Sequence, residues 1–497
     1  MKCCVTKNNM TDHEFIERIL EIPEESQTLE FKRLGEEGIV KKILETIVAM
    51  ANADGGLIVL GISDPEKTKR GERRVYGIEE NKDVCDAISR EIPKVIPPLT
   101  GIWPPNLLKW NEKETVAMIS VPKCTDDFRC WGNDVFLREQ KSNRRLTPQE
   151  IVTFAYAKGF RRADIELVDV AINLLDTVYF QAWKQHRGIT GNDISEVLEK
   201  TGLARRDDMG VLKPTRAAVL LFAEYPTNLM DTKCAIRILQ YAGKEESIKN
   251  VPNLIGVPET LQGPASRLIQ LGQERVLSIL RSGVAMPGSG FITQYRLPER
   301  AVKEAITNAV IHRDYHAKRD IEIKIFEDRI EIENTGLFPF NITPSNIGSV
   351  RATGYRNDLL VKILREFPDP PNLDQNEGVR AIRNEMKARN LYPPIYLTYP
   401  YLQDSVRVIL LNESAPSEWE KVQSYLQKNK YIGNSDARKV TGVVEMTHMS
   451  KMLKRWVAQG LLIRVDAKNG APKMVKYRLP DLGQEQGLLA NQKASKN

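Results

Sequence analysis

Residues 304–314 read EAITNAVIHRD and place a carboxylate, a carboxamide and an imidazole on one stripe of an otherwise apolar helix. Ala301, Val302, Ala305, Ile306, Ala309 and Val310 recur at helical spacing and predict a core-facing side. Glu304, Asn308 and His312 follow one another at i, i+4 and i+8, so they share a second face. Pro298 starts the helix where a missing N–H costs nothing. The stripe suits a magnesium-nucleotide site, with the Asn308 amide oxygen on Mg2+ and Glu304 polarising a water toward a terminal phosphate. On this segment alone, a surface helix with ordinary polar residues is the alternative.

Downstream, Ile321, Ile323 and Ile325 alternate with Glu322 and Lys324, the chain turns through residues 327–329, and the alternation resumes at Ile330 and Ile332. This predicts an antiparallel hairpin with one buried face. It ends in Asn334-Thr335-Gly336, where a strand-end side chain can meet a base edge and a glycine lets backbone approach a ligand. Gly348, Gly354 and Gly378 follow, the last opening a helical run through Ile382 and Met386 whose N-terminus suits phosphate oxygens.

These stretches resemble the GHKL ATP-binding fold, an α/β sandwich, and more narrowly its RecG-like branch. The matching residues are Leu297-Pro298, Glu304-x-x-x-Asn308, His312-Arg313-Asp314-Tyr315, residues 332–336, Arg356-Asn357 and residues 377–382. The resemblance implies Glu304 as general base, Asn308 as magnesium ligand, Asn334 as adenine reader and residues 348–357 as nucleotide lid. It also assigns His312, Asp314, Gly336, Arg356, Asn357 and Gly378 to the ATP site. Two departures stand out: Asn334 replaces the Asp of the wider superfamily, and Arg380-Ala381 replaces the usual second glycine after Gly378. ATP binding is therefore expected ahead of hydrolysis.

Competing readings fail on context. His312-Arg313-Asp314 mimics a kinase triplet, but no Asn follows at the required spacing and no Asp-Phe-Gly is present. His312 and His316 have metal-ligand spacing without the partners of a zinc site. No phosphate-binding G-x-x-x-x-G-K-[ST] run occurs.

With 497 residues, 41% of them hydrophobic, the chain can form several domains. No apolar run is long enough to span a bilayer and no signal peptide is evident, so a cytoplasmic protein with no membrane partner is expected. Six cysteines, at 3, 4, 85, 124, 130 and 234, lack C-x-x-C spacing and read as reduced thiols. Net charge is +7, yet residues 428–478 carry twelve Lys or Arg against three acids, a local excess larger than that of the whole chain. Such focusing points to a polyanion.

Near the N-terminus, Leu29 and Phe31 alternate with Thr28, Glu30 and Lys32, projecting an acid and a lysine from one strand face. Metal-dependent nucleases use that pairing: the carboxylate holds a cation and the lysine steadies the attacking water or the phosphate charge. A surface ion pair is the alternative. Glu25 must enter from a bend or loop. A helix follows with Ile39, Ile43, Leu44 and Ile47 on its apolar side, then an apolar strand over 57–62 with Asp64 just past its end. This stretch resembles the Schlafen AlbA-type domain through Glu25-x-x-x-x-Glu30-Phe31-Lys32, residues 51–56, Gly61-Ile62-Ser63-Asp64 and Gly77-Ile78, as far as about Thr147. The resemblance implies a catalytic and metal-binding set of Glu25, Glu30 and Asp64 with Lys32, taking Mg2+ or Mn2+, and a metal-dependent endoribonuclease. The basic residues Arg138, Lys141, Arg144 and Arg145 are assigned to nucleic acid.

Residues 165–175 read as an amphipathic helix and 235–241 as a strand, with no catalytic constellation between about 160 and 290. From Ser417 the pattern is a helix, a second over 435–440 capped by Asn434, a third over about 446–458, then two strands around a turn at 468–470. This resembles a winged helix-turn-helix, presenting Lys451, Lys454 and Arg455 to a groove and Lys473 to phosphates.

The expected fold class is mixed α/β (α+β). Boundaries are expected at 1–155 (Schlafen AlbA-like), 156–289 (linker and coupling region), 290–412 (GHKL), 413–481 (winged helix) and 482–497 (disordered tail). Two functions stay open: an ATP-gated nucleic-acid effector with a ribonuclease site, in a setting such as phage defence, or an ATP-responsive DNA-binding transcriptional regulator. GHKL domains commonly act as dimers, so a homodimer is expected by analogy.

Overall fold

The computed structural model describes residues 11–69, 71–247, 252–285, 292–371, 378–427, 429, 431–465 and 475–480. They fall into two compact units, one drawn from the described residues within 1–151, 343–345 and 416–497 and the other from those within 152–342 and 346–415. Lys473, the turn at 468–470 and the tail at 482–497 lie outside the described residues.

In the first unit, strand Leu29–Lys32 runs parallel to Gly56–Leu60, with Leu29 opposite Leu57 and Lys32 opposite Leu60. Parallel neighbours need a crossover, and helix Ile39–Asn52 supplies it. The sheet continues antiparallel through Thr115–Val121 to Asn106–Lys109. Leu29, Phe31, Leu57, Val59 and Met118 form one core with Ile16 and Ile19. A separate hairpin, Phe136–Glu139 with Ser142–Arg145, carries Arg138.

The C-terminal part of this unit holds helices Ser417–Leu426, Asn434–Thr441 and Met446–Ala458, plus a small sheet ordered Ile432–Gly433, Lys476–Arg478, Ile463–Val465. Trp419 and Trp456 meet edge-on at 5.2 Å in its core. The cap of the middle helix differs from expectation. Gly433 is the N-cap, its N–H satisfied by Asp436 at 3.2 Å, while Asn434 lies inside the helix and donates to the Met446 carbonyl and Ser450 hydroxyl.

The second unit is built on a six-stranded sheet ordered Glu259–Leu261, Ile236–Gln240, Ile321–Ile325, Arg329–Thr335, Ser405–Leu411, Ile395–Leu397. The expected hairpin is its centre, with Ile323 opposite Ile332. Ile236, Ile321, Ile323, Ile330 and Ile332 share one core with Ile269 and Val276 of helix Ala265–Leu280 and with Val302, Ile306 and Val310 of helix Glu299–Ile311. Ile236–Gln240 pairs parallel with Ile321–Ile325, so residues expected as a linker supply strands of this sheet, and a boundary at 290 cuts through one hydrophobic core. The helix expected over 165–175 is instead a pair of short 3₁₀ turns. The Val168 N–H between them bonds the Pro214 carbonyl at 3.0 Å and Leu167 pairs with Thr215, which holds the backbone extended.

Candidate nucleotide and nucleic-acid sites

Helix Glu299–Ile311 buries Ala301, Val302, Ala305, Ile306, Ala309 and Val310, as its periodicity requires. It stops at Ile311, three residues before the end of the quoted stretch. His312 is the C-cap, and the Asp314 N–H turns away to the Thr335 carbonyl at 2.8 Å. Asn357 reinforces that stop by donating to the carbonyls of Ile311 at 2.9 Å and Arg313 at 2.8 Å, groups a helix end leaves unsatisfied.

Glu304, Asn308 and His312 all line one cavity of about 230 Å³. Its walls are this helix, the start of helix Gly378–Ala388, the strand residues Asn334, Val406, Val408 and Tyr396, and segments 337–342 and 347–355. Most of the lining is apolar, including Leu337, Ile342, Ile347, Val379 and Ile382, which suits the flat body of a nucleobase. Asn334 sits in this surface, its amide nitrogen 3.2 Å from the Thr335 carbonyl. Gly336 adopts φ +105°, and a Cβ there would overlap the Arg356 guanidinium. A Cβ at Gly378 would overlap the Glu304 carboxylate, so only glycine lets the start of that helix reach the acid. The Asn308 amide nitrogen donates to Glu304 at 3.1 Å, which turns its oxygen away from the acid.

Among the described lining residues Glu304 is the one charged side chain. A polyphosphate would be met by the N-terminus of Gly378–Ala388 and by a cation rather than by Lys or Arg. Mg2+ fits that arrangement, because it binds through one or two protein oxygens plus phosphates and does not need a protein cage. Asp314, Arg356 and Asn357 lie behind the cavity. The Asp314 carboxylate accepts the His316 N–H at 2.9 Å, and Arg356 donates to the Leu337 carbonyl. Burial, and secondarily Arg356, push the His312 imidazole down to about 4, so it is neutral at pH 7. Tyr355 and Tyr396, which line the cavity, have no sequence signal beyond being aromatic.

At the other candidate site, Glu25 enters from the loop before strand Leu29–Lys32 and accepts the Phe31 N–H at 2.9 Å. Glu30 is only 3% exposed, so a surface ion pair is ruled out for it. Lys32 bonds one of its oxygens and Arg138 the other. Arg138 is fully buried and also reaches the Ser26 carbonyl at 3.1 Å and Asn143 at 3.0 Å. It therefore has no open face for a phosphate. Asp64 accepts the Glu66 N–H at 2.9 Å and lies 3.6 Å from Lys67. Burial, then the charges of Glu30 and Asp64, push the Glu25 carboxyl up to about 7, against the pull of the Phe31 N–H and Lys32.

The acids thus feel one another, but no group of three His, Cys, Asp or Glu among the described residues is placed to hold a metal ion. With both Glu30 oxygens occupied, a three-acid metal site does not fit this arrangement.

The other basic residues of the hairpin are also paired. Lys141 bridges Glu24 at 2.6 Å and Glu66 at 3.0 Å, Arg144 joins Glu139 and Glu150, and the more open Arg145 meets Asp134 at 2.6 Å. On helix Met446–Ala458, Lys451, Lys454 and Arg455 are exposed while Met449, Leu453 and Trp456 are buried. Arg478, from the last strand, lies 3.9 Å from Glu24. Among the described residues no helix is long and apolar enough to cross a membrane.

Residues 25–147 match the family model described as "Schlafen, AlbA_2", and residues 318–410 match "Putative ATP-dependent DNA helicase recG C-terminal". Among solved structures, the DIP2311 protein from Corynebacterium diphtheriae is 17% identical, covering 93% of this chain and 94% of its own, with a TM-score of 0.40. The N-terminal domain of a "Putative ATP-dependent DNA Helicase RecG-related Protein" from Nitrosomonas europaea is 21% identical, over 23% of this chain and 74% of its own, with a TM-score of 0.17. No curated protein matches the chain.

Proposed function

We propose that this chain, in which a Schlafen AlbA_2 segment precedes a RecG-like ATPase-type segment, is an ATP-binding effector that acts on nucleic acid. The observation that carries the reading is the single cavity lined by Glu304, Asn308, His312, Asn334, Gly336 and Gly378. Asn334 reads the base, the apolar walls exclude water from it, Asn308 offers an oxygen to Mg2+, and Glu304 orients a water at the phosphate end. Bound Mg2+ would neutralise polyphosphate charge that the lining itself does not offset. The domain is a GHKL switch, acting as a dimer, and its product is a change of state more than a turnover of ATP.

The C-terminal helices and small sheet form a winged helix whose third helix presents Lys451, Lys454 and Arg455 to phosphates. Arg478 beside Glu24 puts that basic segment next to Glu25, which supports one nucleic-acid surface spanning both. The Glu25, Glu30, Lys32 and Asp64 cluster is the candidate endoribonuclease site, its cleavage resting on these side chains without a three-acid metal centre, and phage defence is the setting such an activity would serve. Purified chain incubated with transfer RNA, ribosomal RNA and single-stranded DNA, with and without Mg2+ or Mn2+ and with or without ATP, tests this. Cleavage lost in Glu30→Ala and altered in Asn308→Ala supports the effector. Intact substrates throughout, with a sequence-specific DNA footprint removed by Lys451→Ala/Arg455→Ala, favour the transcriptional regulator.

A further inference from the structure

We infer that His312 is a specificity-determining residue of the nucleotide cavity, donating its Nε2 hydrogen to an acceptor on the base or sugar of the ligand, with the buried, partnerless Nδ1 setting that tautomer. The inference rests on the nucleotide reading above and names a recognition step within it.

Position comes first. His312 closes helix Glu299–Ile311, its own N–H reaching the Asn308 carbonyl at 3.0 Å. Two residues on, Asp314 pairs with Thr335, which lies between Asn334 and Gly336. This brings His312 to the base end of the cavity, while Glu304 lies two helical turns away, about 12 Å along the axis. The Tyr355 ring lies parallel to the imidazole, 5.8 Å away with 6° between planes, and restricts its rotation.

Tautomer comes second. His312 Nδ1 is buried without a hydrogen-bond partner although the ring lines the cavity. A neutral imidazole carries one N–H and one lone pair. With no acceptor within reach of Nδ1, a hydrogen there would be a buried donor left unmade, which costs more than an unused lone pair. The proton therefore resides on Nε2, the nitrogen left to meet a ligand. A buried donor built to meet an acceptor rejects ligands that lack it more strongly than an apolar wall can.

Calorimetric titration of the full chain with ATP, 2′-deoxy-ATP and GTP, each with Mg2+, tests the donor. His312→Phe keeps a flat ring against Tyr355 without the N–H, and His312→Gln restores a donor. The expected result is a wild-type preference for ATP over at least one of the other two that falls about tenfold in His312→Phe, the loss of one hydrogen bond, and returns in His312→Gln. A wild type that binds all three alike, or a preference unchanged in His312→Phe, overturns the inference while leaving nucleotide binding intact. A wild type that binds none removes both readings together. Nitrogen-15 shifts of the His312 ring give an independent readout: a proton on Nε2 is expected, and a proton on Nδ1 overturns the tautomer assignment.

Discussion

Replacing Glu25 with Gln removes a charge that the fold opposes while keeping the oxygen that accepts the Phe31 N–H. Burial and the neighbouring acids lift this carboxyl from 4.5 to about 7. At ~1.36 kcal/mol per tenfold, that rise corresponds to about 3 kcal/mol between the two protonation states. A folded value above the unfolded one means that the folded chain holds the proton longer. The stabilisation is complete below pH 4.5 and is lost as pH rises through about 7. Glu25→Gln is therefore expected to match wild type near pH 4 and to exceed it by about 3 kcal/mol at pH 8. For a unit of this size each kcal/mol is worth roughly 2–4 °C. Calorimetry of the full chain at pH 5, 6.5 and 8 would show the corresponding transition rising in the variant by up to about 10 °C at pH 8. An equal shift at all three pH values, or a lower transition at pH 8, would refute the reasoning. The gain is also expected to abolish any cleavage, since a destabilising charge kept in a cluster is the usual sign of a working group.

Other perturbations separate the parts of the account. Arg138→Met leaves Glu30 buried with Lys32 alone and should cost about 3–5 kcal/mol in denaturant unfolding of the first unit; a loss below about 1 kcal/mol would contradict a buried clamp. Gly378→Ala drives a methyl into the Glu304 carboxylate and is expected to weaken ATP binding at least about tenfold, with a stability loss of about 1–3 kcal/mol; unchanged binding by calorimetry would mean that the acid and the helix start are not held together. Lys451→Ala/Arg455→Ala is expected to weaken binding to duplex DNA and to lower the slope of log affinity against log salt by about 2, one unit per phosphate lost; an unchanged slope would place the nucleic acid elsewhere.

Local order carries far in this chain. The Glu304, Asn308, His312 stripe reads directly from helical spacing, because the same period that buries Val302, Ile306 and Val310 must turn those three to another face, and that face lines the cavity. The hairpin Ile321–Ile325 with Arg329–Thr335 is equally local. What stays hidden depends on distant pairing. Ile236–Gln240 reads as a strand, but nothing in it states that its neighbour is Ile321–Ile325, so the sheet's extent is lost and two of its six strands pass for a linker. Arg138 reads as part of a basic turn, yet its partner Glu30 lies 108 residues away, and a buried arginine has the same local signature as an exposed one. Residues 165–175 have helical apolar spacing, but Leu167 and Val168 take partners at Thr215 and Pro214 instead. Gly433 takes the cap expected of Asn434 because Asp436 answers its N–H, leaving Asn434 to hold the next helix through Met446 and Ser450.

The central claim is that the cavity between helix Glu299–Ile311 and the start of Gly378–Ala388 binds ATP with Mg2+. Calorimetric titration of the full chain with Mg2+ and ATP, repeated for Asn308→Ala and for ATP in EDTA, tests it most directly. Saturable binding to the wild type that weakens about ten- to a hundredfold both in Asn308→Ala and in EDTA is the predicted result, from the loss of one charge-assisted contact. No saturable binding to the wild type, or binding indifferent to both Asn308 and Mg2+, would contradict it.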